Sequence, residues 1–180
     1  MLNKKKLSKN FQWGVGKEVE LLRTLNSNAL IKSIDEILKG HNLKNGVWVF
    51  GYGSLMWNPD IEIVEKKNGE VIGYCRKLCL KSMLYRGTPA YHGLVFGLEK
   101  GKKCQGVAFR IERKKVYKQL QKIWEREMFA ETYIPKWVDF KTKKLIYPVI
   151  TFVINTKHKN YVPNIKIDEI VERVLNAKGK

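Results

Sequence analysis

Hydrophobic residues recur with a helical period in the first part of the chain, after an N-terminal stretch without a period. Residues 1–17 mix Lys, Asn and Gly with two aromatics, so we expect a loosely ordered basic arm before a single domain over residues 18–180. The helical spacing is interrupted near Asn26-Ser27-Asn28 and stops at Gly40, which predicts two short helices or one broken helix. The apolar positions are Leu21, Leu22, Leu25, Leu30, Ile31, Ile34, Ile37 and Leu38.

From Val47 onward the pattern becomes that of β-strands. Segments rich in β-branched and aromatic residues are separated by Gly, Pro and Asn, as at Asn68-Gly69 and Lys100-Gly101, which is typical of strands joined by turns. We expect strands over Val47–Phe50, Val71–Leu80, Gly93–Leu98, Cys104–Ile111 and Leu145–Ile154. Five such strands predict a mixed sheet or a small barrel.

Two further helices are predicted in the second half of the chain. The apolar residues Val116, Leu120, Ile123 and Trp124 lie on one stripe of a helix between the fourth and fifth predicted strands. A last helical pattern begins near Asp168 and runs almost to the final residue. Together, helices and strands make a protein of the α+β class.

A glutamate interrupts the apolar stripe of the third predicted helix. At roughly 100° per residue, Glu127 falls near the centre of the stripe, whereas Glu125 falls on the opposite face. A carboxylate beside Trp124 should lose hydration, which raises its pKa and suits it to act as a general base near neutral pH. The alternative is a carboxylate that turns to water or pairs with Arg126 or Lys122.

A glycine-rich turn follows the first predicted strand directly. The segment is Val49-Phe50-Gly51-Tyr52-Gly53-Ser54-Leu55, and its two glycines allow a sharp turn with backbone N–H groups that point outward. Such groups can hold a carboxylate or a phosphate. The spacing fits neither a Walker loop nor a dinucleotide-binding turn, and an ordinary β-turn is the alternative.

Arg86, before a Gly-Thr-Pro turn, either faces an anionic ligand or pairs with a surface acid.

The charge and the cysteines limit the partners and the compartment. The formal net charge is +18 over 180 residues, which makes nucleic acid, an anionic membrane or an acidic small molecule possible partners. Most of this charge is lysine, which favours a solvated coat over a nucleic-acid reader. Three cysteines without a paired pattern indicate a reducing compartment, and no apolar run reaches the roughly 18 residues that span a bilayer. We therefore expect a cytoplasmic protein without a membrane partner.

The scattered histidines limit the chemistry further. His41, His92 and His158 lie far apart and form no HxH or HExxH pattern, so we expect no metal. No GxSxG nucleophile motif is present either. An active site in this chain is therefore expected to work without a metal or a covalent nucleophile.

Several motifs in order resemble the bacterial ChaC-type, glutathione-specific γ-glutamylcyclotransferases. The likeness covers roughly residues 18–175 and is carried by Val49–Trp57 (VFGYGSLMW), Arg86-Gly87-Thr88, Gly93–Leu98, Gly106–Arg110, Trp124–Met128 and Tyr133–Trp137. The resemblance implies a γ-glutamylcyclotransferase-like fold, a mixed sheet that closes into a small β-barrel with flanking helices. It also implies cofactor-free conversion of glutathione to 5-oxoproline and cysteinylglycine.

The resemblance assigns roles to particular residues. Glu127 matches the catalytic glutamate of the family, and Val49 to Leu55 match its substrate-binding turn. Ser82 and Arg86 match a segment that lines the site, but Met83-Leu84-Tyr85 stand where polar residues are expected. This departure leaves open another γ-glutamyl amino acid or amine as substrate, and the charge leaves open a basic nucleic-acid-binding domain.

Overall fold

The computed structural model describes residues 27–128 and 130–179, which form three α-helices and five strands. The helices are α1 (Ser27–Leu38), α2 (Val116–Glu127) and α3 (Ile167–Asn176), and short 3-10 turns cover Ser54–Met56 and Arg113–Lys115. The predicted arm over residues 1–17 and the first apolar positions of the N-terminal pattern lie outside the described residues. Helix α1 begins at Ser27, where the sequence predicted an interruption, and ends before Gly40, whose φ of 78° favours glycine.

The five strands close into a barrel. They are β1 (Val47–Gly51), β2 (Glu65–Ser82), β3 (Gly93–Ile111), β4 (Tyr133–Lys141) and β5 (Ile146–Ile154). The order around the barrel is β1-β3-β2-β4-β5, with antiparallel neighbours except at the closure. There β5 runs parallel to β1, with Val49 opposite Ile150. The predicted α+β class with a small closed barrel is confirmed.

Alternation along β1 separates two cores. Val47 and Val49 face α1 and α2 and pack with Ile150 and Trp124 in a cluster outside the barrel. Phe50 faces the interior, where its ring lies 5.6 Å from that of Phe140. Because side chains alternate along a strand, one short strand contributes to both cores and continues directly into the glycine-rich turn.

Two predicted strand breaks are wrong. The breaks at Asn68-Gly69 and Lys100-Gly101 lie inside the continuous strands β2 and β3. A Cβ on Gly69 would lie 2.5 Å from the Phe140 ring, and one on Gly101 would lie 2.5 Å from the Cys75 sulfur. These glycines allow close packing within a strand and do not mark turns.

One strand was not predicted at all. Strand β4 contains Pro135, which removes a backbone donor and weakens a strand pattern. The register of β4 with β2 covers only Lys141 and Phe140, opposite Glu70 and Val71, so Pro135 lies on the part of β4 beyond this pairing. A proline is tolerated there because that side of the strand needs no ladder hydrogen bond.

Candidate functional site

The glycine-rich turn follows β1 as predicted and is held by its own backbone. The N–H groups of Met56 and Trp57 donate to the carbonyls of Gly53 and Ser54 over 3.0 and 3.1 Å. A Cβ on Gly51 would lie 2.9 Å from the Cβ of Leu55, so the close return of the chain favours glycine there. Among the described residues, none accepts a hydrogen bond from the N–H groups of Gly53, Ser54 or Leu55. The turn therefore offers backbone donors that no described residue uses.

Tyr52 fixes the turn to the barrel. Its side chain is buried, and its hydroxyl donates to the carbonyl of Phe152 in β5 over 2.8 Å. Its own carbonyl accepts a hydrogen bond from the Arg76 guanidinium of β2 over 2.7 Å. Two strands on different sides of the barrel thus hold the central residue of the turn.

Hydrophobic packing places the turn against the end of α2. Leu55 is buried in the same cluster as Val49, Trp124 and Met128. Beyond the turn, the Arg126 guanidinium donates to the carbonyl of Asn58 over 2.5 Å. The last turn of α2 and the glycine-rich turn therefore form one packed unit.

Glu127 is the last residue of α2, and its side chain is only 17% exposed. Burial raises the pKa of its carboxyl above 4.5, and the Arg126 guanidinium, 3.3 Å away, partly opposes this effect. The prediction of a raised pKa is confirmed, and the alternative of a pair with Arg126 also holds. Glu125 is exposed, as its place on the opposite face predicts.

Two tyrosines share the electrostatic environment of Glu127. Burial, together with the neighbouring Tyr133 and the charge of Glu127, raises the pKa of Tyr52 far above its ordinary value. Burial and the charge of Glu127 likewise raise the pKa of Tyr133, whose hydroxyl donates to the carbonyl of Phe96 over 2.7 Å. Both phenols stay protonated at neutral pH, so Glu127 is the one of these three groups that can accept a proton there.

Arg86 lies apart from this unit. It is exposed on the loop between β2 and β3, where its backbone N–H donates to the Ser82 hydroxyl over 3.2 Å. Among the described residues, none forms a hydrogen bond or an ion pair with its guanidinium. The structure brings Val49 to Leu55 together with Glu127, but it does not bring Arg86 into contact with them.

Sequence reasoning did not assign roles to Arg76 and Tyr133. Arg76 lies in a predicted strand without any motif around it, and its contact with Tyr52 depends on the barrel that joins β2 to the turn. Tyr133 begins Tyr133–Trp137, one of the segments that carry the resemblance, but the resemblance gives it no role. A tyrosine six positions after a candidate base, at the start of a strand, gives no signal by itself.

The described cysteines form no disulfide. Cys75, Cys79 and Cys104 are free thiols, and burial raises the pKa of Cys79 to about 12. Such a thiol is protonated at neutral pH and a weak nucleophile. No group of three His, Cys, Asp or Glu side chains in the described part of the chain could hold a metal ion. Of the helices described, none is long and apolar enough to cross a membrane.

Comparison with known proteins finds relatives that are named γ-glutamylcyclotransferases. The glutathione-specific γ-glutamylcyclotransferase of Escherichia coli K12 is 33% identical over 135 residues, which cover 74% of this chain and 58% of that protein. The human glutathione-specific γ-glutamylcyclotransferase 1 is 28% identical over 144 residues, which cover 74% of this chain and 62% of that protein. The chain thus spans less than two thirds of the length of these two relatives.

The fold has a match among solved structures. A yeast γ-glutamyl cyclotransferase specific to glutathione superposes with a TM-score of 0.68 at 18% identity, covering 75% of this chain and 80% of that one. The family model described as ChaC-like protein matches residues 47–180, from the first residue of β1 to the end of the chain. This range contains the barrel, the glycine-rich turn and Glu127, and the chain belongs to the ChaC-like protein family.

Proposed function

We propose that this chain is a cofactor-free γ-glutamylcyclotransferase that converts glutathione to 5-oxoproline and cysteinylglycine in the cytoplasm. The names of its relatives support the substrate. The observation that carries the proposal is Glu127, a buried carboxyl with a raised pKa, packed beside a turn whose backbone donors are unused. These are a base and an anion-binding element at one place.

The substrate supplies its own nucleophile. The α-amine of the γ-glutamyl unit can attack the γ-carbonyl carbon of the same unit and close a ring. Because this attack is intramolecular, correct folding of the substrate supplies much of the rate enhancement. The enzyme must chiefly hold the γ-glutamyl unit and move protons.

Glu127 performs the proton transfers in this mechanism. Its carboxylate removes a proton from the α-ammonium group, and the free amine then forms the new C–N bond. When the γ-peptide bond breaks, the protonated Glu127 returns the proton to the departing cysteinyl nitrogen. The ring nitrogen gives up its second proton, and the released amine takes up a proton to become an ammonium group. A carboxyl with a raised pKa suits both steps, because it is a stronger base than an ordinary carboxylate and can still donate the proton once it holds one.

The turn from Val49 to Leu55 holds the γ-glutamyl unit. The N–H groups of Gly53, Ser54 and Leu55 donate to its α-carboxylate or to the oxyanion that forms at the γ-carbon. The buried Tyr52 keeps these donors in place by its bonds to two strands. Arg86, on the exposed loop, remains a proposed carboxylate contact.

Paired glutamate variants test the role of Glu127. We expect Glu127→Gln to lower kcat for 5-oxoproline release from glutathione by about 100-fold or more, as is usual when a general acid–base is lost. Glu125→Gln, the control on the exposed face of the same helix, should keep most of the activity. Circular dichroism establishes that both variants are folded. Undiminished turnover by Glu127→Gln would contradict the mechanism.

The apolar segment Met83-Leu84-Tyr85 favours one second candidate, a cyclotransferase for other γ-glutamyl amino acids or amines. Tyr85 is 53% exposed beside Arg86, so this loop offers an aromatic surface where the resemblance predicts polar contacts. Comparison of kcat/KM for glutathione and for γ-glutamyl-alanine separates the two. A preference for γ-glutamyl-alanine would favour the second candidate.

A further inference from the structure

A cavity of about 640 Å³ opens beside the glycine-rich turn. Met56, the residue after the turn, and Arg76 of β2 line it, together with other residues of β2 and β3, Lys141 at the end of β4 and the connection from β4 to β5. Glu127 is not among the residues that line it. The cavity therefore adjoins the candidate active site without containing the base.

The cavity is positively charged. Arg76, Lys141 and Lys143 line it, and none of them forms an ion pair with a carboxylate of the described residues. Its acidic side chain, Glu70, is neutralised by Lys103 at 3.0 Å. Three unpaired cations around one space favour an anionic ligand.

Arg76 is the cation best placed to bind such a ligand. One nitrogen of its guanidinium donates to the carbonyl of Tyr52 over 2.7 Å, and the group lies 5.3 Å from the centre of the Phe96 ring. These contacts hold the guanidinium in one orientation, while its other N–H groups remain available. A held arginine can bind a carboxylate with two parallel hydrogen bonds.

Tyr52 connects this cation to the catalytic unit. Its phenol shares the environment of Glu127, and its carbonyl accepts the bond from Arg76. A cysteinylglycine unit reaches about 7 Å when extended. A substrate whose γ-glutamyl end lies at the turn can therefore place its glycine end in the cavity.

We propose that Arg76 binds the glycine carboxylate of glutathione in this cavity and thereby selects peptides with a free carboxylate over other γ-glutamyl compounds. The inference rests on the proposed function. Glutathione carries carboxylates at opposite ends, and the backbone donors of the turn serve only the γ-glutamyl end. Arg76, supported by Lys141 and Lys143, serves the other end.

The test compares glutathione with its glycine amide, which lacks the distal charge. In the unmodified protein, kcat/KM should be about tenfold or more higher for glutathione than for the amide, the effect of one charged hydrogen-bonded pair. Arg76→Gln should remove most of this preference, chiefly through KM for glutathione. Arg76→Lys, which keeps the charge and guards against misfolding, should retain part of it.

One control variant and one rival variant complete the test. Lys77→Gln removes the neighbouring cation, which pairs with Glu99 at 2.8 Å, and should leave the preference unchanged. Arg86→Gln tests the rival assignment, in which Arg86 binds the glycine carboxylate. An equal loss of kcat/KM on both substrates in Arg76→Gln would overturn the proposal, because it would show that Arg76 only holds the turn. A loss of the preference for glutathione over its amide in Arg86→Gln, and not in Arg76→Gln, would also overturn it. If the unmodified protein released 5-oxoproline from neither substrate, the proposed function itself would fail.

Discussion

Helices α2 and α3 have the same kind of sequence pattern but differ in what covers them. In α2 the apolar stripe is fully buried, and Leu120 and Trp124 are both 0% exposed. In α3 no residue is buried, and Ile167 and Leu175 are 69% and 72% exposed. Arg173 of α3 donates to the carbonyl of His92, in the loop before β3, over 3.3 Å and lies over the Tyr91 ring.

This difference bears on where a catalytic group can lie. A helical period shows that a segment has an apolar face, but the rest of the fold determines whether that face is covered. Helix α2, whose apolar stripe is buried, ends in Glu127. The packing of the preceding two turns keeps most of the Glu127 side chain away from solvent. The same residue at the end of α3 would be hydrated and would have an ordinary pKa.

Removal of the central side chain of α2 has the largest expected effect. The Trp124 ring meets Phe152 edge-on at 5.0 Å, and its Nε1 donates to the Ser33 hydroxyl over 3.1 Å. We expect Trp124→Ala to lower the free energy of unfolding by about 3–5 kcal/mol, as measured by urea denaturation. Trp57→Ala, at a site 83% exposed, is the control and should change it by less than about 0.5 kcal/mol. Similar losses of unfolding free energy in both variants would contradict the expected difference between a buried and an exposed tryptophan.

The buried carboxyl at the end of α2 should have a smaller, pH-dependent effect on stability. Because burial raises its pKa, folded protein binds this proton more tightly than unfolded protein does, so stability falls as pH rises above 4.5 through the raised value. Glu127→Gln removes this loss. We expect its Tm to exceed that of the unmodified protein by a few degrees at pH 8, with the difference shrinking towards pH 4.

The matched control for this effect is Glu125→Gln, which alters an exposed carboxyl on the same helix. It should show no such pH-dependent difference in Tm. A lower Tm for Glu127→Gln at pH 8 would mean that the pair with Arg126 outweighs burial. The contribution of Glu127 to stability would then depend on its ion pair with Arg126 instead of on desolvation.

A change on the exposed face of α3 should have the smallest effect. We expect Leu175→Ser to change the free energy of unfolding by less than about 0.5 kcal/mol, because the side chain makes little apolar contact. Thermal denaturation measures this directly. A loss of several kcal/mol would show that the apolar face of α3 is buried in solution, as that of α2 is.

The sequence predicted the parts of the site that depend on local pattern. The stripe ending at Glu127 and the turn after β1 both lie within short segments, where period and glycine spacing are informative. Arg76 and Tyr133 were missed because their places depend on pairing between β2, β4 and the rest of the barrel. Contacts between strands distant in sequence leave no local pattern.

The fold shows the same division. Helices α2 and α3 and strands β1 and β5 begin within a residue or so of their predicted positions. Gly69 and Gly101 were wrongly interpreted as turn residues. The sequence alone does not distinguish a glycine that makes room for a neighbouring ring or thiol from a glycine in a turn. Only the packed barrel distinguishes the two.

The parallel closure between β1 and β5 has a consequence for the order of folding. The Tyr52 hydroxyl bonds to Phe152, 100 residues later, and the Thr151 hydroxyl bonds to the carbonyl of Phe50, 101 residues earlier. Loop closure over such separations slows folding relative to local pairing. The ribbon of β2 and β3 can form early, but the turn acquires its anchors only when β5 joins. During synthesis, a chain that has not yet reached β5 therefore lacks the fixed turn.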